Sequence, residues 1–388
     1  MTGPVSRGMG TLLGAIGPFA EWSRALPTDR PCDFLFGNPH EVAPSGYVDA
    51  LMAATRPSGK DHYAYKMNEP AATEAVVAGL RHRSGIAFDP DDIFLTNGNF
   101  AGIAIVLRVI VDPGDEVIFV SPPWFFYETL ILAAGARPVR VYADRHTFDL
   151  DLEAVAAALS PRTRAIIVNS PNNPSGRIYP PEALDALGRL LTEASERNGR
   201  PVYLLSDEAY NRILFDGRES PTPVAHYPHA FMLYTYAKTL LTPGSRLGYI
   251  ALAPSMPERE LLRVPLLVGQ IVTGWAFPVA PLQYAVPELE RLGPDLEALQ
   301  RRRDRVVGAL REQGYEVVEP EATFYVLVRS PIEDDRRFAD MLAERGVFVL
   351  PGTMFEMPGW LRVSLTANDQ MVERAIPHFG ATLAEVAG

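Results

Sequence analysis

The chain has 388 residues, 47% of them hydrophobic and 21% charged, and a formal net charge of −11. That length can bury a large core, arranged as two domains, while the acidic balance argues against a nucleic-acid partner, which calls for a basic face. Cys32 is the single cysteine, which excludes an intrachain disulfide and a cysteine-based metal site, and no metal is expected.

The stretch from Met1 to Arg24 contains Leu12, Leu13, Ile16 and Phe19, but Gly14 and Gly17 interrupt it and Glu21 follows. It is too short and broken for a transmembrane helix and lacks a basic lead or a clear cleavage pattern. No membrane partner and a cytoplasmic location are expected. The 35 prolines are scattered and mark loops rather than a disordered tract. No internal repeat is found.

Asp33-Phe34-Leu35-Phe36-Gly37-Asn38-Pro39 reads as a short extended segment closing in a turn. His62-Tyr63-Ala64-Tyr65 precedes Pro70 and a helical stretch in which Val76, Val77 and Leu80 share a face, with Gly85 as its stop. Ile93 to Thr96 is strand-like, and Asn97-Gly98-Asn99-Phe100 turns into an apolar helix that ends near Val111. A glycine turn opening a helix offers free backbone N–H groups and the positive end of the dipole, a setting for phosphate or simply a structural turn. Val117 to Val120 is a strand, followed by Ser121-Pro122-Pro123-Trp124. Trp124 is either core or a flat partner for a ring.

Ala165 to Val168 reads as a buried strand running into Asn169-Ser170-Pro171-Asn172-Asn173-Pro174-Ser175-Gly176. Two tandem Asn-Pro-type turns are rare as mere connectors, so this loop is a site candidate. Leu184, Leu187, Leu191 and Ala194 make an amphipathic helix. Val202 to Leu205 is another buried strand, ending in Ser206-Asp207-Glu208-Ala209-Tyr210. A carboxylate there needs a charged or hydrogen-bonding partner, or else caps a helix.

Phe231 to Leu233 leads to Thr235-Tyr236-Ala237-Lys238. A lysine at the end of a buried strand is desolvated, which frees its amine as a nucleophile able to form a Schiff base with an aldehyde cofactor. The Thr235 hydroxyl and the Arg246 fork suit a phosphate dianion. Leu247 to Leu252 is a strand. Gly274-Trp275-Ala276-Phe277 belongs to the substrate pocket or, preferably, to the core. Leu296, Leu299, Val306 and Leu310 mark a long helix whose Arg301-Arg302-Arg303 cluster is read as its solvated face. Strands at Thr323 to Val328 and Val347 to Leu350 flank a helix near Phe338 to Arg345 in a second, smaller α/β unit.

The order hydroxyl-aromatic-small-lysine at Thr235 to Lys238, followed by Gly244-Ser245-Arg246-Leu247-Gly248, resembles the lysine motif of the class I/II aminotransferases. These are fold-type I enzymes that use pyridoxal 5′-phosphate. The resemblance runs from about Gly37 to Arg362. It implies an aspartate aminotransferase-like α/β fold with a mostly parallel seven-stranded sheet in a large domain, residues 46–285. A smaller α/β domain is then built from residues 1–45 and 286–388. It also implies a homodimer with each active site at the subunit interface.

The resemblance further implies roles. Lys238 holds the cofactor and moves the substrate proton. Asp207 pairs with the ring nitrogen, while Asn173 and Tyr210 serve the phenolate oxygen. Trp124 stacks on the ring. Gly98, Asn99, Phe100, Thr235 and Arg246 surround the phosphate, and Phe100 stands where relatives often carry a hydroxyl or amide, so the cup relies on backbone groups and Asn99. Tyr65 reaches the partner's phosphate, although Pro70 replaces the expected glycine and Tyr63 competes for the role. Gly37 lies at the entrance near the substrate, Asn173 also faces it, and Arg362 grips its α-carboxylate. A planar fork suits that two-point contact. The implied reaction is transamination between an α-amino acid and a 2-oxo acid. A lyase, decarboxylase, cyclase or oxidase on the same framework, and a non-catalytic cofactor-binding regulator, are the alternatives.

Overall fold

The computed structural model describes residues 5–387; the outermost residues of the expected small domain, 1–4 and 388, lie outside the described residues. In chain order the strands are β1 Cys32–Phe34, β2 Ile93–Thr96, β3 Glu116–Ser121, β4 Arg137–Tyr142, β5 Thr163–Asn169 and β6 Tyr203–Asp207. They continue with β7 Ala230–Thr235, β8 Gly248–Leu252, β9 Val317–Val318, β10 Tyr325–Arg329, β11 Val347–Pro351 and β12 Trp360–Ser364.

Seven of these strands form one sheet in the order β2-β8-β7-β6-β5-β3-β4. The run from β7 to β4 is parallel throughout, and β8 is antiparallel to both of its neighbours. The chemistry of the strands explains this. β6 and β7 are buried along their whole length, as strands covered by helices on both faces must be, so they read as apolar runs without alternation. One covering helix, Asn99–Ile110, packs on β7 and β8. Another, Pro181–Asn198, buries Leu184, Leu187, Leu191 and Ala194, one helical face.

The remaining strands form a second sheet, β1-β11-β12-β10-β9. β1 lies parallel to β11 and the other pairs are antiparallel. A segment near the start of the chain is thereby built into a sheet made by its last quarter. The N-terminal helix Arg7–Ala25 instead reaches the helix Tyr127–Ala133 beside the large sheet. Phe19 stacks on Phe125 with ring centres 4.2 Å apart.

Two sequence expectations are corrected. Arg302 and Arg303 are not a solvated face; they are 5% and 2% exposed. Along the helix Leu296–Glu312 they fall between Leu299 and Val306, within the buried stripe. Arg302 donates to Asp369 at 2.7 Å, Glu41 at 2.5 Å and the Leu365 carbonyl at 3.0 Å. Arg303 forks onto Asp216 at 2.6 and 2.8 Å and lies over the Phe215 ring. Their stems pack in the core while their heads tie three distant segments together. Trp275, read as core, is 40% exposed.

Candidate active site

The carboxyl ends of β3, β5, β6 and β7 open on one edge of the large sheet, where antiparallel β8 begins. Ligands of open α/β sheets bind at this edge. The turns leaving these strands enclose a cleft of about 210 Å³ lined by Trp124, Asn173, Asp207, Tyr210, Lys238 and Arg246, together with Asn99, Phe100 and Thr235.

Lys238 sits in the short helix Tyr236–Thr239 immediately after β7. It is half-buried, with Nζ 5.8 Å from the centre of the Phe324 ring. Thr235 caps this helix: its hydroxyl accepts from the Ala237 N–H at 3.2 Å and donates to the Leu247 carbonyl at 3.1 Å. The Thr235 oxygen therefore orients the lysine turn, and its proton binds that turn to the approach of β8.

One end of the cleft is shaped for an anion. Gly98 has φ 81° and ψ 172° at the start of the helix Asn99–Ile110, a conformation essentially confined to glycine. A Cβ at Gly98 would come within 2.7 Å of Arg246 Nη2, so the missing side chain lets the guanidinium lie against the helix N-terminus. Arg246 Nη1 donates to the Pro243 carbonyl at 2.8 Å. Although the residue is exposed, partial desolvation of its head pulls its pKa down, with no acidic group opposing. The Asn99 side chain does not join this cup. Its amide donates to Asp207 Oδ1 at 2.6 Å, which leaves backbone N–H groups and Arg246 at the anion end.

Asp207, 5% exposed, ends β6. Burial raises its pKa; Tyr127, the Ala209 N–H, Asn99 and the Lys238 charge oppose the rise. Tyr127 donates its hydroxyl to Oδ2, and the Ala209 N–H reaches Oδ1 at 3.3 Å. Asn169 locks the neighbouring loop: its amide donates to the Asp207 carbonyl at 2.8 Å and its oxygen accepts from the Asn173 N–H at 2.7 Å.

Arg362, on β12, faces the cleft from the small sheet. It is 3% exposed. Nη1 donates to Asn173 Oδ1 and Nη2 to the Leu35 carbonyl, each at 3.0 Å, while Nε has no partner. Its guanidinium stacks on Tyr325, 4.0 Å from the ring centre. Among the described residues no carboxylate is within 4 Å of it, and burial pulls its pKa down. Tyr210 accepts from Asn173 Nδ2 at 3.5 Å. A Cβ at Gly37 would come within 2.8 Å of the Tyr325 hydroxyl, which places Gly37 against the same group. Tyr65 stands apart, fully exposed, whereas Tyr63 donates to the Thr55 carbonyl.

Tyr127, Asn169 and Tyr325 escaped the sequence reading. Tyr127 lies 80 residues from Asp207 and carries no local signal. Tyr325 becomes a neighbour of Arg362 through strand register: Leu327 is opposite Arg362, and Tyr325 is two residues away on the same face. Asn169 could have been found, because the parallel pairing of β5 and β6 sets it beside Asp207.

Among the described residues, three charges at the cleft have no oppositely charged partner within 4 Å: Arg362 and Asp207, which are buried, and Arg246, which is exposed. Buried charges require partners. A phosphate at the Gly98–Arg246 end, a ring N–H⁺ at Asp207 and a carboxylate at the orphaned Nε of Arg362 supply the matching set, so these residues fit pyridoxal 5′-phosphate and an α-amino acid.

Comparison with known proteins agrees with this chemistry. A family model described as aminotransferase class I and II matches residues 58–379. An aspartate/prephenate aminotransferase of Thermus thermophilus is 34% identical over 358 residues, 89% of each chain. An arginine–pyruvate transaminase of Pseudomonas aeruginosa is 30% identical, covering 88% of this chain and 86% of that one. Among solved structures, an amino transferase of Eubacterium rectale superposes with a TM-score of 0.90 at 28% identity over 99% of both chains. A Thermus thermophilus aspartate aminotransferase mutant gives 0.83 at 31% identity, covering 99% of this chain and 100% of that one.

Proposed function

The chain belongs to the class I and II aminotransferases, and we propose that Lys238, Asp207 and Arg362 are the groups that carry its reaction. It is a pyridoxal 5′-phosphate-dependent aminotransferase acting on amino and 2-oxo acids. The observation that carries the residue assignment is a trio of charges without an opposite partner, two of them buried, set around one lysine. The cofactor, when bound, supplies an electron-poor ring that accepts the electrons left behind when an amino acid loses its α-proton.

The chain's own groups divide the remaining work. Arg246 and the backbone N–H groups at the start of Asn99–Ile110 hold the phosphate, with Gly98 leaving room and Thr235 and Phe100 forming the walls. Asp207, kept in place by Asn99 and Tyr127, holds a proton on the ring nitrogen. Asn173 and Tyr210 serve the ring oxygen, and Trp124 covers the ring face. Arg362 and Asn173 take the substrate α-carboxylate, with Gly37 at the entrance, and orient the α-hydrogen for removal. Lys238 Nζ accepts that proton and returns it.

A homodimer is part of the same proposal. Leu261, Val264, Val268 and Ile271 form an exposed apolar stripe on the helix Glu260–Val272, a surface of the kind that marks association. Tyr65 projects clear of its own chain while Tyr63 is engaged, which supports Tyr65 as the residue that reaches the partner's phosphate. Sedimentation equilibrium should give twice the mass of one chain, and a fully active monomer would refute the shared site. The division into 46–285 and the two chain ends rests on the two sheets and is checked by limited proteolysis. No helix among the described residues is long and apolar enough to cross a membrane; a cytoplasmic location is checked by cell fractionation.

The test of the reaction is a half-reaction without any 2-oxo acid substrate. A transaminase releases one 2-oxo acid per site and stops. Repeated turnover with ammonia, carbon dioxide or peroxide would move the chain to a lyase, decarboxylase or oxidase. Borohydride should fix the cofactor to a peptide containing Lys238, and a Lys238→Ala protein that is still labelled would sink that role.

A further inference from the structure

An aromatic wall joins the cleft to the carboxylate fork. Phe100 and Trp124 line the cleft, with ring centres 5.0 Å apart. Trp124 lies 5.1 Å from Phe126, which lies 4.8 Å from Phe125. Phe125 stacks on Phe19 at 4.2 Å, and Phe19 meets Phe36 edge-on at 6.1 Å. Phe36 follows Leu35, whose carbonyl accepts from Arg362. All six rings are half-buried, so they contact one another and keep part of their faces open. The helix Arg7–Ala25 supplies one ring, the segment after β1 another, and the turn after β3 three more.

The cations at the cleft are already committed. Lys238, Arg246 and Arg362 have the roles given above. Arg140, on the strand beside β3, is paired with Glu128 at 2.9 Å and Glu356 at 2.6 Å. Among the described residues the cleft lining holds no cation besides Lys238 and Arg246, so a second carboxylate on a substrate meets rings of this chain. Among the described residues the cleft lining holds no carboxylate besides Asp207, so a cationic side chain likewise finds no partner there.

We propose that the substrate's side chain lies against this wall, so that the enzyme takes amino acids and 2-oxo acids with uncharged apolar or aromatic side chains. The proposal rests on Arg362 holding the α-carboxylate, which starts the side chain beside Phe36. Apolar burial then favours a phenyl or isobutyl group over a methyl, and desolvation penalises a charged one.

The test uses purified holoenzyme in single turnover with phenylalanine, leucine, alanine, aspartate and arginine separately, followed by 2-oxo acid release. Phenylalanine or leucine should exceed alanine about tenfold or more in kcat/KM, and should exceed aspartate and arginine by about a hundredfold. Aspartate or arginine reacting fastest overturns the proposal while leaving the transaminase reading intact. If none of the five releases a 2-oxo acid, the reading of the cleft fails and the proposal falls with it. Phe19→Ala and Phe125→Leu should each lower the phenylalanine-to-alanine ratio about fivefold or more, a ratio that loss of folded protein does not move. An unchanged ratio in both variants overturns the placement of the side chain.

Discussion

Gly98→Ala adds one methyl group and should have two separable effects. The new Cβ falls 2.7 Å from Arg246 Nη2 and 3.1 Å from its Cζ, closer than carbon and nitrogen can approach without movement. The guanidinium must swing away from the helix N-terminus. At the same time, alanine is forced into φ 81°, ψ 172°, at a strain of about 1–3 kcal/mol. Strain is present whether or not ligand is bound, so it lowers the melting temperature by a few degrees. Moving Arg246 removes a hydrogen bond between charged groups, about 1.5–3 kcal/mol, and that loss appears only in phosphate binding. Cofactor Kd should rise about 10- to 150-fold. Pyridoxal, which lacks the phosphate, provides the control, since its weaker binding should change little. The assay is a titration of both compounds by absorbance, beside a melting curve. A variant in which the two Kd values rise by the same factor, or in which neither moves, refutes the assignment of the phosphate to this end.

Three other variants probe the remaining charges. Tyr127→Phe removes one donor from the Asp207 carboxylate, and kcat should fall at least about tenfold; unchanged turnover would show that Asp207 does not depend on it. Arg362→Lys exchanges a fork for a point charge and should raise the apparent KM for every amino acid at least about tenfold, so an unaltered KM counts against the carboxylate role. Glu208 is buried beside Asp207, and burial pushes its carboxyl up to about 7, against Thr222, Ser206 and Asn211. Its folded value lies above its ordinary one, so its stabilising contribution is complete below about pH 4.5 and is lost as the pH rises through about 7. Glu208→Gln should remove up to about 3 kcal/mol of the pH dependence of the unfolding free energy from urea melts across that window, and an identical pH slope in both proteins would contradict this.

The buried central strands and the chemistry-bearing residues at their ends were legible in the sequence because their signals are local, while the seven-stranded count came from the family resemblance and β4 Arg137–Tyr142 carried no such signal. A buried apolar run announces a strand, and the polar residues that follow it occupy the turn at its end. Asp207 is the last residue of such a strand, and Lys238 and Asn173 follow shortly after one. Arrangements made by register or by tertiary packing were not legible. Tyr325 reaches Arg362 from the paired strand β10, and Tyr127 reaches Asp207 from the first residue of the helix Tyr127–Ala133. Arg302 and Arg303 were misread for a different reason: charge was weighed before helical phase, although Leu299 and Val306 on either side already set the buried stripe. Asn99 was assigned to the phosphate because the turn beside it binds anions, yet a buried carboxylate 108 residues away claims its amide.

The unmatched charges of Arg246, Arg362 and Asp207 also bear on how long the protein survives in a cell. Arg362 and Asp207 are buried and Arg246 is exposed, and the opposite charge for each comes from a small molecule rather than from the described residues. Cofactor at a hundred times its Kd adds about 2.7 kcal/mol to the folded state, roughly a hundredfold smaller unfolded population for proteases to find. Newly made chains in a vitamin-poor cell should therefore be cleared sooner than loaded ones, so that the abundance of the enzyme follows cofactor supply without any dedicated regulator. Pulse-chase half-lives with and without added pyridoxine would measure that coupling directly.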